Sequence, residues 1–135
     1  MSADLPSTDL TAASAFVAST KFDVTEATGS RVTGTVDLGP DQHTPWGVVH
    51  GGVYCAVVES AASIGASTAV VDRGQFAVGV NNNTDFVRPM TSGRLDVVAE
   101  PKVLELGARR LPGGGGDFRV YADPVGHPFC LVWDA

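Results

Sequence analysis

Apolar and polar positions change rhythm several times along this chain, and each rhythm predicts an element. Between Phe22 and Leu38 the pattern is that of strands: Phe22 and Val24, then Val32, Thr33, Thr35 and Val36. Gly29-Ser30 supplies a turn between the two runs. From Gly51 to Val71 the alternation disappears, because nearly every residue is small or apolar and Glu59 is the single charge. A helix that is apolar on all sides is covered on all sides. This segment therefore reads as one central, buried helix ending near Asp72-Arg73-Gly74. Strands are expected at Phe76-Val80, at Phe86-Val87 and from Arg94 to Glu100, the last with Leu95, Val97 and Ala99 alternating against their neighbours. Upstream, Leu10, Ala13, Phe16 and Val17 have helical spacing within Thr8 to Thr20, with Ser7 as the cap.

The last third is built differently. Lys102 to Arg110 reads as a short helical piece ended by glycine, and Gly113-Gly116 as a flexible linker. Phe118-Ala122 and Pro128-Trp133 read as a hairpin around Asp123-Pro124-Val125-Gly126. One central helix with several antiparallel strands is an α+β layout. A length of 135 residues suits a single domain.

Composition then narrows the function classes. A net charge of −6 argues against nucleic acid as a partner, although Arg109-Arg110 offers a local patch for phosphates. No apolar run reaches the roughly 18 residues of a membrane span. The opening Met1-Ser2-Ala3-Asp4 lacks the basic start of a signal peptide. Cys55 and Cys130 sit in apolar contexts and read as free thiols of a reducing compartment. A cytoplasmic protein without nucleic-acid or membrane partners is expected. No set of His, Cys and carboxylates has metal-ligand spacing, so neither metal nor cofactor is expected. His43 and His127 read as exposed loop histidines.

The chemistry concentrates at His50-Gly51-Gly52 and Glu59. Glycines before an apolar run place a helix N-terminus there, where unpaired N–H groups favour negative charge. A carboxylate two turns inside a buried helix costs free energy unless it has a partner or a reaction to serve. An amide donor and an acid are two parts of an acyl-transfer site. Each residue also has a structural reading: Glu59 as an acid satisfied by neighbouring hydroxyls, and His50 as a turn residue satisfied by backbone.

Residues from about Phe22 to Pro101 resemble the hotdog-fold thioesterases of the PaaI-like superfamily. The resemblance is carried by Trp46-Gly47-Val48-Val49-His50-Gly51-Gly52-Val53, by Glu59-Ser60-Ala61-Ala62-Ser63, and by Gly79 to Arg88, in which Asn81, Asp85 and Phe86 form an Asn-x-x-x-Asp-Phe block. It implies a curved antiparallel sheet wrapped around one helix, and dimers or tetramers with sites at subunit interfaces. It also implies acyl-CoA thioester hydrolysis, with coenzyme A only as part of the substrate. Gly51 N–H would bind the thioester oxygen, and His50 would fix the turn beside it. Glu59, from a neighbouring subunit, would be nucleophile or general base, with Ser63 one turn on positioning the acid or water. The family divides between Asp and Glu at the acid position, and Glu with this serine pattern resembles the branch acting on aromatic acyl groups. Gly52, Thr44, Asn83 and Arg88 would line the substrate channel. Thr44 stands where related enzymes carry Asn or Gln, with Gln42 and His43 nearby as substitutes.

Val103 to Trp133 instead resembles the closing segment of vicinal oxygen chelate (glyoxalase-like) proteins, with Cys130 where metal-binding members carry a Glu ligand. The expectation is one hotdog domain over residues 1–135, in which the tail's hairpin fills the places of the missing strands. Two other readings stand beside hydrolysis: a catalytically weak acyl-CoA-binding or structural oligomer, and a glyoxalase-related protein whose metal-binding core is absent.

Overall fold

A computed structural model describes residue 10, residues 13–79 and 81–100, and the backbone of the strands at 109–110, 118–122 and 128–132. The elements, in chain order, are α1 (Ala15–Ser19), β1 (Phe22–Ala27), β2 (Val32–Leu38), α2 (Gly51–Thr68), β3 (Gly93–Ala99), β4 (Arg109–Arg110), β5 (Phe118–Ala122) and β6 (Pro128–Val132). Short 3₁₀ turns lie at Pro40–Gln42 and Val71–Arg73. The α+β layout is therefore present.

β1, β2 and β3 form an antiparallel sheet in that order. Alternation decides its faces: Val32, Gly34, Val36 and Leu38 of β2 are buried, while Thr33, Thr35 and Asp37 between them are not. α2 packs across all three strands. Val57 and Ala61 of the helix join Phe22, Val32, Val36, Leu38, Val49 and Val97 in one core. Gly29, in the β1–β2 turn, lies against the far end of α2; a Cβ there would sit 2.8 Å from the Ala69 Cα. That close approach is why the turn carries glycine.

Several sequence expectations are corrected. α1 is shorter than the expected Thr8–Thr20 span, and Ser14, not Ser7, caps it, accepting from Val17 N–H at 3.4 Å. Ser7 itself lies outside the described residues. The central helix stops at Thr68 and tightens into the 3₁₀ turn before Gly74, whose left-handed φ of 68° ends it. Residues 75–79 and 81–92, expected to hold strands at Phe76 and Phe86, form no strand. Ala77 and Asn82 bond to side and main chain of α2, and the Met90 and Thr91 carbonyls to the loop before it.

The C-terminal hairpin forms as expected, pairing Phe118 with Val132 and Ala122 with Pro128. Its outer neighbour is β4, where Arg109 and Arg110 pair with Ala122 and Tyr121. These two arginines thus belong to a strand, not to the end of a helix. The pairs make a second three-stranded sheet, β4-β5-β6, and no ladder among the described strands joins it to β1-β2-β3. The glycine linker, His127 and Trp133 lie outside the described residues.

Candidate active site

The loop that leads into α2 is held at several points. Its tip is a tight turn: Gly47 N–H donates to the Thr44 carbonyl at 3.0 Å and Thr44 N–H to the Val48 carbonyl at 2.7 Å. Gly47 takes a φ of 76°, which a side chain disfavours. Below the tip, Val49 N–H donates to the Met90 carbonyl and His50 N–H to the Gln42 carbonyl, each at 2.8 Å. The His43 imidazole Nε2 meets the Thr91 carbonyl, so His43 is a half-buried brace, not a free loop histidine. Gln42 is buried and its amide is occupied, accepting from Gly39 N–H at 2.9 Å and donating to the Thr20 carbonyl. It does not substitute for the side chain missing at position 44. Thr44 instead presents a buried hydroxyl without a hydrogen-bond partner.

His50 is the N-cap of α2. Its Nδ1 accepts from Gly52 N–H at 2.8 Å, and its carbonyl accepts from Val53 N–H at 3.0 Å. Helix starts leave amides without intrahelical acceptors. The cap takes those of Gly52 and Val53 and leaves the Gly51 N–H unused. His50 is thus satisfied by backbone as a capping residue.

Eight residues on, Glu59 is half-buried, less covered than the apolar sequence around it suggests. Ser63 Oγ donates to Glu59 Oε1 at 3.1 Å, the contact that one helical turn of separation predicts. The cover over Glu59 is the irregular segment after the helix, which returns along α2 in the opposite direction as a strap. Ala77 N–H donates to Ser67 Oγ at 3.0 Å. Gly79 then passes the Glu59 carboxylate. Asn82 Nδ2 donates to the Cys55 carbonyl at 2.9 Å, and the Phe86 ring lies on Gly51. Cys55, Glu59, Ser63 and Ser67 recur every fourth residue, so they form one stripe beneath the strap.

Two cavities flank the start of the helix. One, of about 400 Å3, is walled by Tyr54, Val58, Phe86, Leu95 and Val97, with exposed Arg88 also in its wall. The Tyr54 and Phe86 rings meet there, with centroids 5.8 Å apart. The other, of about 290 Å3, lies between α1 and the helix start and is lined by His43, His50, Gly52 and Val53. The structure thus brings His50, Gly51 and Gly52 together, and Glu59 with Ser63. Thr44 is at the loop and Arg88 at the larger cavity. Asn83 is exposed, and its neighbour Asn82 makes the contact with the helix. The resemblance places the whole region from Asn81 to Arg88 at the site but singles out Asn83 where Asn82 makes the contact; sequence reasoning missed Ser67 and Gly79 as neighbours of the site, and the fourfold spacing from Cys55 would have found Ser67. Among the described residues, no group of three or more His, Cys, Asp or Glu is placed to hold a metal ion.

The arrangement has relatives. The thioesterase superfamily matches residues 47–111, from the loop tip through the strap and past Pro101 into β4. A Mycobacterium tuberculosis protein described as an esterase is 50% identical over 68 residues, 49% of this chain and 49% of its own length. In that match the chain spans about half the length of the relative. The solved structure of that M. tuberculosis protein superposes with a TM-score of 0.59 at 31% identity, covering 87% of this chain and 90% of that one. The proofreading thioesterase EntH of Klebsiella pneumoniae is 37% identical over 65 residues, 48% of this chain and 45% of its own. The E. coli PaaI protein shares the fold, with a TM-score of 0.54 at 17% identity over 90% of this chain and 81% of that one. With a free glycine amide at a capped helix start, a helix carboxylate and a sheet packed on that helix, this chain has the hotdog fold and belongs to the thioesterase superfamily.

Proposed function

We propose that the chain hydrolyses acyl-CoA thioesters in the cytoplasm, and that the acyl group is aromatic. The observation that carries this reading is the Glu59–Ser63 pair on the helix whose first amide, at Gly51, is left free by the His50 cap. Glu59 attacks the thioester carbonyl, or takes a proton from a water that does so. In either case the C–S bond breaks, the thiol of coenzyme A departs, and water ends in the carboxylic acid product. Negative charge on the carbonyl oxygen is met by Gly51 N–H and the positive end of the helix, a contribution of about 3 kcal/mol.

Helix geometry supports more than one copy. Gly51 and Glu59 are eight residues apart, about 12 Å along the axis at 1.5 Å per residue. One carbonyl cannot touch both in a single chain. Two copies with their helices side by side and opposed place the amide of one near the carboxylate of the other, twice over. We therefore read the functional unit as a homodimer or homotetramer. Phe76, Val78, Phe86 and Val87, exposed along the strap, support this. The larger cavity supports an aromatic acyl group, since Tyr54 and Phe86 give it flat apolar walls. Thr44, Gly52, Asn83 and Arg88 are assigned to substrate binding, with Arg88 as the cation for an anionic group.

The test is thiol release from a panel of aryl- and alkyl-CoA thioesters. Release above the uncatalysed rate, faster for aryl substrates and lost in Glu59→Ala, is the expected result. Release that survives Glu59→Ala removes the assignment of the acid. Equal rates for both substrate sets remove the aromatic preference.

A further inference from the structure

The strap crosses the helix stripe with a glycine where it meets the carboxylate. A Cβ at Gly79 would lie 2.5 Å from both the carboxyl carbon and Oε2 of Glu59, and nearer still to Oε1. Three atoms of one carboxylate thus occupy the space that any side chain at 79 would need. No positive φ demands glycine at this position, so backbone conformation does not explain it. Space does.

We propose that Gly79 is a positioning residue for Glu59, and that side-chain size at 79 and acid length at 59 form a matched pair. Resting on the reading of Glu59 as the reacting group, the inference adds what fixes its place. The carboxylate is held from two directions. Ser63 Oγ binds Oε1 from within the helix, and the strap backbone closes over it from outside. The strap is itself pinned on either side of Gly79, through Ala77 to Ser67 and through Asn82 to the Cys55 carbonyl. Lifting it to admit a methyl group would strain these two bonds. The mobile partner is the carboxylate, at the end of a flexible side chain. A methyl at 79 therefore turns the acid away from its serine and leaves the fold in place. Aspartate, shorter by one methylene, withdraws toward the helix and vacates the same space.

The experiment is a double-mutant cycle read by thiol release from one aryl-CoA, with Gly79→Ala, Glu59→Asp and the double variant, and Glu59→Ala as reference. Gly79→Ala is expected to lower kcat by roughly 10- to 100-fold, the scale of an ångström-sized misplacement, with KM and melting temperature little changed. In the Glu59→Asp background the same alanine is expected to cost less than about threefold. Equal losses in the two backgrounds overturn the pairing, as does full activity of Gly79→Ala while Glu59→Ala is inactive. If Glu59→Ala is itself active, the reading of the acid fails first, a different result from failure of the pairing. A Gly79→Ala protein that melts early and is not rescued by Glu59→Asp also overturns the proposal, since the alanine then acts on the fold.

Discussion

Two stripes run down the central helix, each with one residue per turn, and they are held by different forces. Val57, Ala61 and Gly65 lie buried on the side of the core. Cys55, Glu59, Ser63 and Ser67 face the strap and are fixed by hydrogen bonds and a glycine contact. The first stripe depends on excluded water and close packing, so its small side chains matter by their volume. The second depends on direction, so its residues matter by which atom they present. Glu59 in it is half-buried, as the proposed role requires, since an acid sealed in the core could not meet a substrate. On the proposed reading, one helix separates what keeps the chain folded from what the chain does.

Substitutions on the two sides should break different properties. Glu59→Ala is expected to have the largest effect, a loss of roughly 100- to 10,000-fold in thioester hydrolysis, the usual range for a positioned acid or base. Its melting temperature should stay near the parent value; a large drop would show that the strap side also supports the fold. Ala61→Gly on the fully buried stripe should do the reverse. It is expected to reduce unfolding free energy by about 2 kcal/mol, from lost helix propensity and one lost methyl. Activity per folded molecule should persist, measured beside a denaturant titration. Ser63→Ala should be milder and fall on kcat, about tenfold, as for a hydrogen bond to a charged group. An unchanged kcat would mean that Glu59 keeps its place without the serine.

The smallest effect lies away from both stripes. The Lys21 ammonium, hydrogen-bonded to Asp41 at 2.7 Å, holds the Asp41 carboxyl below its ordinary value, by that bond first and by charge attraction second. Because the folded pKa is the lower one, the pair stabilises the fold above the ordinary carboxylate pKa. That contribution is lost as pH falls through the lowered native value. Both groups are exposed, so Asp41→Asn should shift the acid limb of a melting-temperature profile only slightly. An effect as large as that of Ala61→Gly would contradict the assignment of stability to the buried stripe.

Much of this was legible in the sequence, for a physical reason in each case. The start of α2 was visible because two glycines precede an apolar run. The β1–β2 turn was visible at Gly29-Ser30, and the β5–β6 hairpin from its alternation. The strap was misread as strands at Phe76 and Phe86. Alternation records which side chains seek cover, but not whether a neighbouring strand stands ready to take the backbone hydrogen bonds. The contact of Gly79 with Glu59 was hidden for a related reason: a missing side chain leaves no pattern, and twenty positions separate the pair. Asn82 and Asn83 look alike in a row of three asparagines, and only the structure shows which one reaches the helix.

The tight turn at Thr44–Gly47 has one more consequence. It carries Trp46 at its tip, 84% exposed as a residue, four residues before the helix cap. An indole surrounded by water emits at longer wavelength than one enclosed by protein, so this side chain is an optical gauge built into the approach to the site. With Trp133 replaced by phenylalanine, Trp46 is the remaining tryptophan. The colour of its emission then reads directly whether the loop stands open to solvent or has been covered by whatever docks there.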